Sequence, residues 1–122
     1  MNLPHGEALR FAKEVIKIDT DTATVLCEFR EIPTLPMFIE AAAQSTAAFA
    51  PSGEALIGFL VMRREIKLLT PLREKSYHFK ITREAEIGTM KKFFFEAFDR
   101  QESVKYVSGN LTIVIEDITA PR

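Results

Sequence analysis

The sequence predicts an α+β fold in which one antiparallel sheet wraps around a single long, buried central helix. Three observations predict it. Residues 36–50 read as one helical segment that is apolar on nearly every side. Segments with the two-residue alternation of β-strands flank it, and most of them follow it. Pro and Gly fall between the periodic segments, and no repeat, low-complexity tract or long linker interrupts them. The 122 residues suit one domain, taken as 1–122, and a hydrophobic content of 47% supplies a core for it.

The elements follow in order. Residues 9–18 carry Leu9, Phe11, Val15 and Ile16 and end at Asp19-Thr20-Asp21-Thr22, which reads as a strand or short helix before a turn. Residues 22–30 alternate and are rich in β-branched side chains, so they read as a strand. Ile32-Pro33-Thr34-Leu35-Pro36 is an extended loop, with Thr34 placed to cap the helix and Pro36 in the first turn, where proline is tolerated. Ala50-Pro51-Ser52-Gly53 ends the helix. Residues 54–69 are apolar over a long run, which predicts a central strand buried on both faces. After the Thr70–Glu74 turn, residues 75–87 put Tyr77, Phe79 and Ile81 on one side and His78, Lys80 and Thr82 on the other. Gly88 marks the next turn. Residues 89–99 hold Phe93-Phe94-Phe95, and residues 103–116 alternate again, with a bulge or bend expected at Gly109. A long sheet with one exposed edge is a hazard unless that edge is paired, so a dimer is expected.

Composition excludes several function classes. The formal net charge of -1 gives no overall field toward nucleic acid or anionic lipid. Cys27 is the sole cysteine, which leaves no internal disulfide or multi-thiolate metal site and reads as a small buried hydrophobe. The N-terminal residues lack the pattern of a signal peptide, and no apolar run reaches membrane-spanning length, so a cytoplasmic protein is expected. Ten Phe and no Trp suggest a core or lined cavity built from flat apolar rings.

Glu40 is the one ionisable residue within the apolar helix. A carboxylate there is costly to desolvate, burial favours its neutral, proton-donating form, and groups held at such cost are often catalytic. The bland reading pairs it with Arg63 or Arg64. Gln44 shares its helical face, and Ala43 and Ala47 would let a narrow ligand or a backbone come close. His5 is a second candidate, since histidine titrates near neutrality; His78 reads as surface. Arg63-Arg64-Glu65 is a solvated rim or a phosphate contact, with Lys91-Lys92 a weaker equivalent. Phe93-Phe94-Phe95 is core plus dimer contact, or one wall of an acyl tunnel. There is no Gly-rich phosphate loop, no Ser-His-Asp order, no metal-ligand spacing and no nucleic-acid motif.

These residues resemble a known family. Ile39-Glu40-Ala41-Ala42-Ala43-Gln44 is similar to the central-helix segment of the hot-dog-fold 3-hydroxyacyl-(acyl carrier protein) dehydratases of the FabZ type. Leu3-Pro4-His5 with Val15, and Leu69-Thr70-Pro71, fall where that family has like residues, so the resemblance spans nearly the whole chain. The chain departs from the FabZ type before the helix. Phe29–Pro36 replaces the family's Gly-His-Phe-Pro-Gly loop and its catalytic histidine, and Leu35, Phe59 and Val61 stand about where family glycines would be. The ApeP-like dehydratases, associated with aryl polyene pathways, also lack that loop. They keep Leu-Pro-His, a Glu-x-x-Ala-Gln helix, and a Gly-(Phe/Tyr)-Leu strand followed by Arg, matched here by Leu3-Pro4-His5, Glu40 through Ala48, and Gly58-Phe59-Leu60 with Arg63.

The resemblance implies a homodimer, or a higher oligomer of dimers, acting on acyl carrier protein or CoA thioesters, in fatty-acid-like or polyene biosynthesis, by loss of water from a 3-hydroxyacyl chain. Glu40 and His5 would be the acid–base pair. Gln44, Gly58, Phe59, Leu60 and Arg63 would line the substrate, with a backbone N–H near residues 58–61 on the thioester carbonyl. Dehydration needs acid–base work alone, so no metal or other cofactor is implied. An acyl thioesterase, or a non-catalytic hot-dog partner that binds acyl chains, are the other readings.

Overall fold

A computed structural model describes residues 10–49 and 56–117, with the side chains of 56–61 and 115–117 set aside. The elements run β1 (Ala12–Ile18), β2 (Thr22–Glu28), α1 (Leu35–Ser45), a 3-10 turn (Thr46–Phe49), β3 (Leu56–Leu68), β4 (Ser76–Ile87), β5 (Met90–Phe98) and β6 (Lys105–Asp117). The six strands form one antiparallel sheet in the order β1-β2-β4-β5-β6-β3. The segment that allowed two readings, 9–18, is therefore a strand over Ala12–Ile18.

Thr34 caps α1 as its sequence context predicts: its Oγ1 accepts from the Met37 N–H at 3.4 Å, and Pro36 sits in the first turn. At the other end, the Ser45 and Thr46 hydroxyls donate to the Ala41 and Ala43 carbonyls, each at 2.7 Å. Those bonds take up helix-end acceptors, and the chain tightens into the 3-10 turn rather than continuing α-helical to residue 50.

The helix packs its Phe38, Ile39, Ala41, Ala42 and Ser45 face onto the sheet. Much of the phenylalanine content is spent here. Phe38 stacks on Phe29 at 5.6 Å, meets Tyr77 edge-on at 4.6 Å and tilts against Phe79 at 4.9 Å. Phe79 in turn stacks on Phe95, and Tyr77 meets Tyr106. Offset and edge-to-face contacts at these spacings add to the gain from burial itself. The Tyr77 hydroxyl is bound at the rim of this layer, donating to the Glu74 carbonyl at 2.7 Å and accepting its N–H at 2.9 Å.

Two expectations need correction. The helix is not buried all round, because Met37, Glu40, Ala43 and Ala47 form a half-buried stripe opposite the packed face. The segment 54–69 is not a central strand: among the described residues, β3 is the last strand of the sheet and pairs with β6 alone. A continuous apolar run marks a strand covered on its surfaces, but does not say whether this chain or another does the covering.

The alternation in β4 is as expected, with Tyr77, Phe79 and Ile81 buried and His78, Lys80 and Thr82 half-exposed on the outer face. In β5, Phe93 and Phe95 point inward and Phe94 outward. Gly88 sits in the tight β4–β5 turn at φ +61, a left-handed conformation that favours glycine. Gly109 does not itself bulge. The bulge lies in the neighbouring β3, where Glu65 and Ile66 together oppose it and Glu65 takes φ 53. A Cβ at Gly109 would collide with Ile66 Cδ1 and lie 3.0 Å from Phe95 Cε1, so glycine there makes room for the bulge.

Candidate functional site

Glu40 and Gln44 lie one turn apart on α1, on the same face, as their spacing predicts. Their environments differ. Glu40 is half-buried, whereas Gln44 is buried at 4% exposure. The Gln44 Oε1 accepts from the Phe11 N–H at 2.7 Å and the Ala12 N–H at 3.2 Å, and its Nε2 donates to Glu40 Oε1 at 3.4 Å. The Phe11 carbonyl accepts from the Glu28 N–H of β2 at 2.9 Å. The root of the N-terminal segment is thus tied to β2 on one side and to the helix on the other. The Glu40 carboxylate stands next to that root.

The remaining predicted site residues fall in three places. His5 lies outside the described residues. Gly58, Phe59 and Leu60 belong to the edge strand β3, in register with Ile115, Val114 and Ile113 of β6, and the ladder skips a position between Leu60 and Met62. Arg63 is exposed opposite Leu111 on the same strand. Among the described residues, neither Arg63 nor Arg64 forms an ion pair with Glu40, so the bland pairing left open by the sequence is not found. Lys91 instead meets Glu86 at 3.1 Å.

His78 is an outer-face residue. Its Nδ1 lies 3.0 Å from Glu102 Oε2, and Lys80 holds the other oxygen of that carboxylate at 2.7 Å. Lys80, then His78, hold the Glu102 carboxyl below its ordinary value. Cys27 is buried between sheet and helix, 3.3 Å from Ser45 Oγ. The Ser45 hydroxyl proton is already given to Ala41, so the thiol is the donor in that contact. Burial pushes the thiol up to about 12, which leaves it un-ionised and unreactive. An outer-face groove of about 380 Å³ has a mixed wall, with Thr22, Thr24, Lys80, Thr82 and Glu96 beside Ile16 and Ile81, and does not have the character of an acyl tunnel.

Sequence reasoning missed the part Gln44 plays at the N-terminal root. Its partners are backbone N–H groups thirty-three and thirty-two positions away, and no residue type encodes that contact.

No family model matches the chain, and no curated protein matches it. Solved structures do. The dehydratase heterocomplex ApeI:P from Xenorhabdus doucetiae aligns at TM-score 0.77 and 15% identity, over 96% of this chain and 90% of that one. A thioesterase from Haemophilus influenzae aligns at 0.63 and 8% identity, over 88% and 80%. A hypothetical thioesterase with coenzyme A from Streptococcus pneumoniae aligns at 0.64 and 11%, over 85% of each chain. Among the described residues, no helix is long and apolar enough to cross a membrane. At such identities the likeness is one of fold, and it agrees with the six-stranded antiparallel sheet and single α-helix of the described residues: the chain has the hot-dog fold, shared with a dehydratase and several thioesterases.

Proposed function

We propose that this chain works on acyl thioesters carried by CoA or an acyl carrier protein, as one subunit of a hot-dog dimer, and that it removes water from 3-hydroxyacyl thioesters. The observation that carries the reading is the half-buried Glu40 carboxylate, held by Gln44 beside the root of the N-terminal segment. His5 precedes Ala12 by seven positions, a tether of at most about 25 Å when fully extended.

In the proposed reaction His5 takes the C2 proton of the substrate. A backbone N–H near residues 58–61 stabilises the negative charge that develops on the thioester oxygen. Protonated Glu40 gives its proton to the departing 3-hydroxyl, which leaves as water, and the C2–C3 double bond forms. Proton return from the histidinium to the Glu40 carboxylate restores the pair. Residues 58–60 and Arg63 serve the substrate from the β3 edge. That edge takes a second subunit, because β3 is long, pairs on one side among the described residues, and carries an apolar run at the margin of the sheet.

The test is turnover of 3-hydroxyacyl and enoyl thioesters by the purified protein and by Glu40→Gln and His5→Ala. Each variant is expected to lose roughly 10²–10⁴-fold, the usual worth of a positioned acid or base. Unchanged rates in both would remove the dehydratase reading. A second reading, hydrolysis of the thioester, is favoured by the named thioesterases of like fold; release of free thiol without loss of the 3-hydroxyl selects it. The heterocomplex of like fold favours a third, in which this chain turns over substrate only beside a different hot-dog subunit. Activity that appears only on mixing two such chains selects that one.

A further inference from the structure

Gln44 has the position of a substrate contact, one helical turn from the proposed acid, but both ends of its amide have work inside the protein. Two backbone N–H groups, from Phe11 and Ala12, converge on one end at 2.7 and 3.2 Å. That end must be the oxygen, since a flipped amide would set its own N–H groups against two donors. The other end is therefore the NH₂ group, and it faces Glu40 Oε1 at 3.4 Å. The side chain is buried, so a lost partner would not be replaced cheaply by water. Phe11 directly precedes the edge strand β1 and Ala12 opens it, and among the described residues no strand lies on its outer side. Their N–H groups are met by a helix side chain instead.

We propose that Gln44 is a positioning residue rather than a substrate contact: its oxygen clamps the root of the N-terminal segment to the helix, and its NH₂ group fixes the orientation of the Glu40 carboxyl. One side chain then sets the distance between the helix carboxylate and the Phe11–Ala12 root, which the His5 segment precedes in the sequence. The catalytic half of this inference rests on the dehydratase reading above; the clamp does not.

The experiment combines amide hydrogen exchange with steady-state kinetics on the full chain. In Gln44→Ala the Phe11 and Ala12 amides are expected to exchange at least about tenfold faster, while the β4 amides keep their protection and report an intact fold. The kcat should fall by about 10²-fold with KM within about twofold, as loss of alignment predicts. Gln44→Glu separates the two ends. It keeps an acceptor for Phe11 and Ala12, so above neutral pH their protection should persist. It removes the donor to Glu40, so kcat should still fall. A rise in KM at constant kcat would overturn the proposal in favour of a substrate contact, and unchanged Phe11 and Ala12 exchange in Gln44→Ala would overturn the clamp. If Gln44→Ala unfolds the chain, Gln44→Met fills the same volume without hydrogen bonds and is read the same way. Should Glu40→Gln leave turnover intact, the dehydratase reading fails by itself, and amide exchange still decides the clamp.

Discussion

The two edges of the sheet are built differently. The β1 edge has a seven-residue strand carrying Lys13, Glu14 and Lys17, and its first N–H groups are capped by Gln44. Charges, brevity and a capped end keep such an edge from recruiting another strand. The β3 edge is a thirteen-residue strand with an apolar first half, and Met62 is 51% exposed beyond it. Its second half turns cationic at Arg63, Arg64 and Lys67, and it is bulged at Glu65 and Ile66. One edge is short, charged and capped by a helix side chain; the other is long and, among the described residues, has no strand on its outer side.

The sharpest way to break that contrast is a proline on each edge. For the dimer and activity proposed above, Leu60→Pro should abolish association through β3 and, with it, turnover, read by analytical ultracentrifugation and the thioester assay. Glu14→Pro on β1 should leave the oligomer mass unchanged, with only local loosening. If Leu60→Pro keeps the parent mass and Glu14→Pro loses it, the assignment of the edges is reversed. Between them, the aromatic layer should matter equally to monomer and assembly: Phe38→Ala is expected to cost about 3–5 kcal/mol by denaturant unfolding, since it empties the centre of a close-packed cluster.

Smaller effects sharpen the picture. Gly109→Ala drives a methyl into Ile66 and Phe95 and should cost about 1–3 kcal/mol, with the largest amide-exchange change in β3 rather than in β6, where the substitution sits. The smallest effect belongs to the outer face. Lys80 and His78 lower the Glu102 carboxyl below its ordinary 4.5, so the pair stabilises the folded chain above that pH and the contribution disappears as pH falls through the lower folded value. Glu102→Gln should flatten that acid limb of the Tm–pH curve and leave its neutral region alone.

Much of this architecture is legible in the sequence. The β4 alternation is a two-residue period with one face buried, and the structure repeats it residue for residue. Thr34 and Pro36 announce the helix start because capping is local chemistry. What failed to read was non-local. The apolar run in β3 looks the same whether this chain or a partner covers it. The burial of Glu40 depended on which helix face meets the sheet, and periodicity cannot choose when nearly every residue is apolar. The bulge signalled by Gly109 sits across the ladder from the glycine. The backbone that meets Gln44 comes from more than thirty residues away, so no local pattern announces that contact.

The lone thiol gives the molecule a built-in reporter. Cys27 is un-ionised and sealed between β2 and α1, bonded to Ser45 of the helix. A thiol reagent can reach it only when the helix lifts from the sheet, and the chain has no second cysteine to confuse the signal. The rate of labelling in excess reagent therefore clocks that opening, without a probe having to be introduced.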